Sequence, residues 1–517
     1  MLISRRITLS DTTLRSRTRS LNTAIVAAGT LASRLLGVVK ARAIASAFGS
    51  GMAADAINFA YNMPNNLRKL FAEGSMSTAF LPFYERADEQ EKGRLLGSLI
   101  VFQTLLMVPI AVFAYLFRFS IIALLSGFTD PSQISLAGSL LGPFMAFLFL
   151  ISLCSSAQTA LQCKRLFLVQ AVAPLLFSLS VILSVSLLTP AWGAWSMAFG
   201  TVLGSLLQTA AVLLRLKRSG LKIRLSLGFT KGPFLDVLKA WIPASASCLL
   251  AVLSQQFAFS IASTMPSGTV TAFSNSLIFW QTPYGIFFTA VGTVFFPDLA
   301  SSSGIDKARH LAEGSRKLFT YLVPSAIIVF ALRKETVCSV LQSGSFTLKA
   351  SLLTAQALSW YLGGMIIVAL NSFLQRLCFA SNMYWTSLAL SLLSTAVDIA
   401  STLVMAKLGL GIITFPIATI LSSLASLVLT YFLVVRKTLK EFSLLRWIKG
   451  LARPALASLC LGAIAAAYMA LDLRWHESGS SMINLIKLAG CYLASLLIVL
   501  GLFKAFRIEI LPRARAD

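Results

Sequence analysis

Seven ionisable residues interrupt the apolar sequence between Ser33 and Pro82: Arg34, Lys40, Arg42, Asp55, Arg68, Lys69 and Glu73. A charge facing lipid at mid-bilayer costs about 2.5–3.5 kcal/mol, so seven would cost on the order of 20 kcal/mol, above the stability of most domains. Those near the ends of an apolar stretch can reach the interface. The others must line a protein-walled, water-accessible cavity. Positive charges outnumber negative ones here, so the guest that suits such a cavity is an anion.

Spacing sharpens the reading. At about 100° per residue, Asp55, Asn62, Asn66, Lys69 and Glu73 fall within about 40° of one line on a helix. That is a polar stripe along an otherwise apolar element. Pro64 removes one backbone hydrogen bond inside it, so a kink is expected that re-aims Arg68, which lies off the stripe in a straight helix. Lys69 and Glu73 are four apart and can pair. Ion pairs that only tie helices together are the alternative to a cationic substrate cavity.

The elements that position these residues follow from composition. The chain has 517 residues, of which 57% are hydrophobic and 12% charged. Its mean hydropathy is +0.80. A soluble domain carries about 25% charged residues. Fourteen stretches can cross a core of about 30 Å: near 22–47, 55–84, 95–117, 134–162, 166–188, 191–214, 240–263, 270–298, 318–332, 350–378, 385–405, 410–434, 454–472 and 482–503. The ninth is the shortest. Backbone groups in lipid must bond internally, so these are α-helices, and the expected fold is an all-α polytopic membrane protein.

The net charge of +25 invites a nucleic-acid reading, which its distribution excludes. With a cytoplasmic N-terminus, 31 of the 44 Lys and Arg fall in cytoplasmic segments and six in external ones. This is the positive-inside pattern, with both termini cytoplasmic and anionic membrane lipid as a secondary partner. A polar tail of about 20 residues ahead of a long apolar stretch does not read as a cleavable signal. Seven cysteines include no C-x-x-C pair, and His310 and His476 fall on opposite sides of the membrane, so no metal site or disulfide is expected.

Organisation follows from the connections. A basic cytoplasmic tail (1–21) leads into an N-terminal lobe of six helices (22–214). A basic connector (215–239) separates it from a C-terminal lobe of six more (240–434). The expected architecture is two six-helix lobes around a central cavity. The segment 435–453 alternates apolar and basic residues, as an interfacial amphipathic helix does. Two extra helices (454–504) and a cytoplasmic tail (505–517) complete the chain. Gly200 and Gly204 form a G-x-x-x-G, read as close helix packing. Arg376, near the end of the tenth stretch, is placed at the interface, with a cavity-facing position as the alternative.

The runs SRLLGVVKARAIASAFGSGMAADA and PNNLRKLFAEGSMSTAFLPFYE resemble the signature of the MurJ (MviN) family, lipid II flippases of the multidrug/oligosaccharidyl-lipid/polysaccharide exporter superfamily. Ser33, Arg34, Leu36, Gly37, Phe48, Gly49, Gly51, Asp55, Ala56, Pro64, Asn65, Arg68, Phe71, Ala72, Glu73, Gly74, Ala79, Phe80 and Pro82 match it at the right spacing. The resemblance implies that a polyprenyl-pyrophosphate-linked disaccharide peptide, lipid II, is flipped from the inner to the outer leaflet of the bacterial inner membrane by alternating access. Arg34, Lys40, Arg68 and Lys69 would hold the pyrophosphate, since guanidinium forks pair with phosphate oxygens. Asp55, Asn62, Asn66 and Glu73 would position those cations or gate the cavity, and the last two helices would form a groove for the lipid tail. Cell-wall synthesis enzymes are further candidate partners.

The chain departs from the family at several points. Lys40 and Lys69 stand where arginine is usual, and Ala41 where aspartate is. Ile278 stands where the family carries an arginine in the eighth helix, five residues before Pro283. An exporter of another polyprenyl-linked saccharide and a non-transporting cell-wall scaffold are therefore the alternative functions. No G-x-x-x-x-G-K-[ST] loop is present, so ATP is not the expected energy source, and no catalytic residues or bound cofactor are assigned. The drive would be the membrane potential, at about 2.3 kcal/mol per charge per 100 mV, or a coupling Na+ or H+. Asp398, with Ser394, Thr402 and Thr414, is the candidate cation site. A buried carboxylate bonded to hydroxyls is the plainer alternative.

Overall fold

Several helices begin where the sequence supplies a side-chain cap. Asp88 accepts from the backbone N–H groups of Gln90 (2.9 Å) and Glu91 (2.7 Å), Asp130 from Ser132 N–H at 2.9 Å with Pro131 as the first helical residue, and Ser481 from Asn484 N–H at 3.1 Å. Each satisfies donors that a helix start otherwise leaves open. The structure is a computed structural model that describes residues 29, 32–71, 75–164, 166–221, 223–227, 232–381, 383–479 and 481–509. The tail 1–21 and Glu73 lie outside these.

The helices are α1 (32–48), α2 (Met52–Phe71), α3 (Ser75–Arg86), α4 (Glu89–Leu116), α5 (Arg118–Leu125), α6 (Pro131–Cys163), α7 (Phe167–Trp192) and α8 (Trp195–Arg218). There follow α9 (Pro233–Ser263), α10 (Thr269–Ser301), α11 (Gly304–Ala331), α12 (Arg333–Leu341), α13 (Leu348–Ala380), α14 (Tyr384–Lys407) and α15 (Thr414–Thr430). The last four are α16 (Arg436–Thr438), α17 (Leu444–Gly450), α18 (Ala452–Ala470) and α19 (Met482–Ala505). Every one of the fourteen expected stretches carries helix, and no strand occurs among the described residues. Among the described residues, ten helices are long and apolar enough to span a membrane, or eleven if α11 and α12, bent by 67°, make one span. The fourteenfold count is therefore not reproduced as fourteen uniform spans. At 20 and 33 residues, α2 and α10 are long enough but not among the ten; polar residues dilute their apolar character.

Backbone contacts divide the chain into two compact units. The first comprises residues up to Ala47, Phe59–Leu125 and Thr129–Val252; the second comprises Phe48–Asn58, Ser126–Phe128 and everything from Leu253. The main division thus falls inside α9, and α2 is shared, changing unit between Asn58 and Phe59. A connector rich in charge does not itself mark the boundary: Arg224 N–H bonds the Gly93 carbonyl at 3.0 Å, and a methyl group at Gly97 would sit 1.9 Å from the Arg224 carbonyl oxygen. Gly97 of α4 lets the connector lie directly on the helix.

In the first unit the core joins Phe80, Tyr84, Leu96, Phe147, Leu161 and Val237. Gly200 and Gly204 of α8 do serve close packing: an added Cβ would come within 2.7 Å of the Ser184 side chain and 2.9 Å of the Phe177 carbonyl oxygen of α7. In the second unit the rings of Phe259, Phe273 and Phe415 pack in series, tilted, with centres 4.7 and 4.5 Å apart. The α18–α19 hairpin packs Ala457, Leu461, Val499 and Phe503 against Ile327 and Ile328 of α11. The segment expected at the interface forms α17, which leaves Leu445 and Ile448 exposed and donates from Trp447 Nε1 to Ser315 Oγ of α11 at 2.8 Å.

Candidate functional site

In the first unit, α1 carries Arg34 and Lys40, both half-buried. The Lys40 ammonium stands 5.0 Å from the centre of the Phe177 ring. Phe177 packs on Phe147 at 5.5 Å, and Phe147 stacks on Tyr61 of α2 at 6.0 Å. An aromatic series therefore links the cation of α1 to the helix that bears Arg68 and Lys69. Among the described residues no carboxylate forms an ion pair with Arg34 or Lys40.

The C-terminal end of α2 is held by polar bonds within the apolar surroundings. Gln103 of α4 donates to the Phe71 carbonyl at 3.1 Å and accepts from Ser156 of α6 at 2.7 Å. Cys248 Sγ of α9 donates to the Lys69 carbonyl at 3.4 Å, and the Phe71 ring lies 6.5 Å from Trp241. Carbonyls at a helix end have no partner within the helix, so each needs a donor from outside. The same bonds that satisfy them fix where Arg68 and Lys69 leave the helix. Both cations are half-buried. Asn62 and Asn66 of the expected polar stripe are buried, and neither amide atom of Asn66 has a hydrogen-bond partner among the described residues. Pro64 lies inside α2, which continues through it as one helix.

Asp55 lies in the part of α2 that belongs to the second unit. Its carboxylate accepts from Gly268 N–H (2.6 Å), Thr271 N–H (2.8 Å) and Thr271 Oγ1 (2.7 Å) at the start of α10. Asn58 Nδ2 adds a bond to Thr271 Oγ1 at 3.2 Å. This is a capping anion at the positive end of a helix, supplied from another helix. Two glycines make the approach possible. Gly268 has φ +95 and sits against the Ser50 carbonyl, while Gly49 has φ +66 and sits against the Ser345 carbonyl; added Cβ atoms would lie 2.7 and 2.5 Å from those oxygens.

Asp398 of α14 is also in the second unit and is also satisfied by donors. It accepts from Ser254 of α9 in a short bond and from Ser422 of α15 at 3.2 Å. Ser394 lies beside it and donates to the Ser422 carbonyl at 3.4 Å. Thr402 and Thr414 are buried, but neither is among the hydroxyls bonded to Asp398; Thr414 Oγ1 has no partner among the described residues. Sequence reasoning missed Ser254 and Ser422, because nothing local relates positions 144 and 24 residues from Asp398. One carboxylate with hydroxyl oxygens suits a proton or a hard monovalent cation. Among the described residues no group of three His, Cys, Asp or Glu could hold a metal ion.

Arg376 of α13 lies over the Phe288 ring of α10, its Cζ 4.5 Å from the ring centre. Ile278, where the resemblance places a cation in the eighth stretch, is half-buried on α10.

The chain is similar to several known proteins. The chain is 27% identical over 429 residues to a Borreliella burgdorferi protein named "Probable lipid II flippase MurJ", covering 81% of this chain and 84% of that protein. A Haemophilus influenzae protein of the same name is 26% identical over 515 residues, covering 92% and 98%. Among solved structures, lipid II flippase MurJ in an inward closed conformation superposes with a TM-score of 0.78 at 22% identity, over 93% of this chain and 98% of that one. An inward-facing multidrug resistance MATE family transporter of the MOP superfamily superposes with a TM-score of 0.65 at 13% identity, over 78% and 94%; these two show the shared fold. The model of the family described as lipid II flippase MurJ matches residues 44–489, which include α2, α10 and Asp398 and begin just after Lys40. The chain belongs to the lipid II flippase MurJ family.

Proposed function

We propose that this multi-pass membrane protein moves lipid II from the inner to the outer leaflet with its pyrophosphate held by Arg34, Lys40, Arg68 and Lys69. The cargo and the flippase activity come with family membership; the assignment of the cations is our own reading. The observation that carries it is the anchored end of α2, where Gln103, Cys248 and Trp241 fix the helix end that bears Arg68 and Lys69. A diphosphate offers several anionic oxygens to such groups, arginine by its fork and lysine as a point charge. Lys40, set against an aromatic face and among the described residues not paired with a carboxylate, is open to a ligand.

Asp55 serves as a gate in this scheme, because its bonds to Gly268 and Thr271 can be made or broken as a unit when α2 and α10 change their relation. Alternating access then exposes the cations to one leaflet at a time. Asp398 with Ser254, Ser394 and Ser422 is the candidate site for a coupling Na+ or H+. The membrane potential alone favours outward movement of an anion by about 2.3 kcal/mol per charge per 100 mV. The positive-inside distribution of the basic connections supports cytoplasmic termini and contact of those connections with anionic lipid in this reading.

The test is rescue of a bacterium depleted of its own lipid II flippase, with the wild-type chain and Arg68→Ala side by side. Rescue by the wild type alone is expected. Rescue by both would remove Arg68 from the binding site. Rescue by neither, with normal insertion of both, would turn the reading toward another polyprenyl-linked cargo or a scaffold.

A further inference from the structure

Between α11 and α12 the chain turns by 67°, and three side chains at the start of α12 reach the last two helices. Arg333 donates to the Phe330 carbonyl at 2.6 Å and to Met469 Sδ of α18 at 3.3 Å. The Thr336 and Tyr492 hydroxyls, the latter from α19, share a hydrogen bond of 2.8 Å. Glu335, between them in sequence, is buried. Its Oε1 accepts from Tyr468 of α18 at 3.5 Å and lies 3.9 Å from His476 Nδ1. His476 sits in the short helical turn Trp475–Ser478 that joins α18 to α19. All of these residues belong to the second unit.

The turn is tied down on both sides of His476. Trp475 donates from Nε1 to the Tyr468 hydroxyl at 3.3 Å. Asn484, in the first turn of α19, donates to the Ser478 hydroxyl at 2.8 Å and to the Gly479 carbonyl at 2.6 Å. The imidazole so placed is 5% exposed, and its Nδ1 has no hydrogen-bond partner among the described residues.

Both groups fall short of what burial demands. A buried carboxylate needs close donors or a cation beside it to offset its lost hydration. The donors nearest to Glu335 among the described residues, at 3.5 and 3.9 Å, stand beyond the usual range of about 2.5–3.2 Å. A proton on Nδ1 of a charged imidazole supplies the missing bond, and such bonds close to about 2.7–2.9 Å. An imidazole ordinarily gains that charge near pH 6.5. The groups that act on the pair keep their charge through that range. Around Glu335 these are Arg333, Lys334 and Cys338 of α12, Tyr468 of α18, and Cys491 and Tyr492 of α19. Thiols, phenols and the basic side chains ordinarily titrate higher. Around His476 it is Asp472, exposed and paired with Arg474 at 2.8 Å, and carboxylates ordinarily titrate lower.

We propose that Glu335 and His476 form a pH-sensitive latch that holds the connection between α18 and α19 against α12. The latch is tight while His476 carries its proton and loosens as rising pH removes it. With the termini read as cytoplasmic, this connection faces the exterior, so the latch answers to external pH. It does not depend on the identity of the cargo.

The full-length protein in nanodiscs would be followed by amide hydrogen exchange across residues 473–479 at about pH 5.5 and 7.5, either side of the ordinary imidazole titration, with rates scaled for intrinsic exchange. Opening of the connection is expected to be about ten- to a hundredfold rarer at the lower pH, the range for a hydrogen bond to a charged group. His476→Gln and Glu335→Gln should each remove that difference, and the double variant should behave like either alone. Asp472→Asn should keep it. A wild type without the difference, or a difference that survives in His476→Gln or in Glu335→Gln, would overturn the latch. Loss of the difference in Asp472→Asn would assign the response to that exposed carboxylate and overturn it as well. Because His476 lies in a connection, His476→Gln and Asp472→Asn decide the matter even where Glu335→Gln does not fold.

Discussion

In the first unit the Lys40 ammonium rests on an aromatic ring with no carboxylate paired to it among the described residues, whereas in the second unit Asp55 and Asp398 are each wrapped by neutral donors. Asp55 takes three such bonds and Asp398 two. The difference shows how one protein can hold both signs of charge within apolar helices and use them differently. A carboxylate that accepts from backbone N–H groups and hydroxyls is stabilised in place and becomes part of the scaffold, or a site for a proton or small cation. An ammonium or guanidinium over a ring gains about 0.5–2 kcal/mol and stays available to an external anion. Arg376 is the exception that joins the pattern: it lies in the second unit but is held like the cation of the first.

Substitutions can break this comparison. The largest effect should come from Arg68→Ala, which removes a charge-assisted phosphate contact and is expected to lower lipid II transport by about ten- to a hundredfold with insertion unchanged, read as growth on depletion together with membrane-fraction yield. Gly49→Ala comes next. At φ +66, with the Ser345 carbonyl 2.5 Å from the added methyl carbon, it forces backbone to move and should cost about 2–3 kcal/mol in a thermal unfolding series. Asp55→Ala should cost about 1–3 kcal/mol by leaving the Gly268 and Thr271 N–H groups without an acceptor. Asp55→Asn keeps an acceptor oxygen and should lose less. Gln103→Leu strips the Phe71 carbonyl and Ser156 of a partner and should cost about 1–2 kcal/mol, with a smaller loss of transport than Arg68→Ala. If Asp55→Ala proved as inert as a surface change, the contrast between a carboxylate held by neutral donors and a ligand-facing cation would collapse.

The helices were legible because lipid imposes one solution on every apolar stretch of sufficient length. Gly200 and Gly204 were legible for the same reason, since a small-residue pair on one face means close approach. The cations of α1 and α2 stood out because a charge within an apolar run is costly enough to require an explanation. Contacts that depend on which helices become neighbours stayed hidden. Asp55 finds its donors 213 and 216 residues away, and its position on the polar stripe gave no hint that it caps α10. Asp398 was read with Ser394 and Thr402 from helical spacing and with Thr414 from the next helix, but the hydroxyls that bond it come from α9 and α15. Arg376 was read from its nearness to a helix end, at the interface or facing the cavity, and neither reading could supply the Phe288 ring beneath it, 88 positions earlier in the chain. The division of α2 between two units also leaves no local trace, since Asn58 and Phe59 sit in an unbroken helical pattern.

The most direct test is translocation of labelled lipid II by the purified chain in proteoliposomes, comparing wild type with the double variant Arg34→Ala, Arg68→Ala. The cationic site described here predicts that the wild type exposes the label to an external reagent at a rate well above empty vesicles and that the double variant falls to their background. Equal rates for the two proteins would contradict it, because the pyrophosphate would then cross without the charges assigned to hold it.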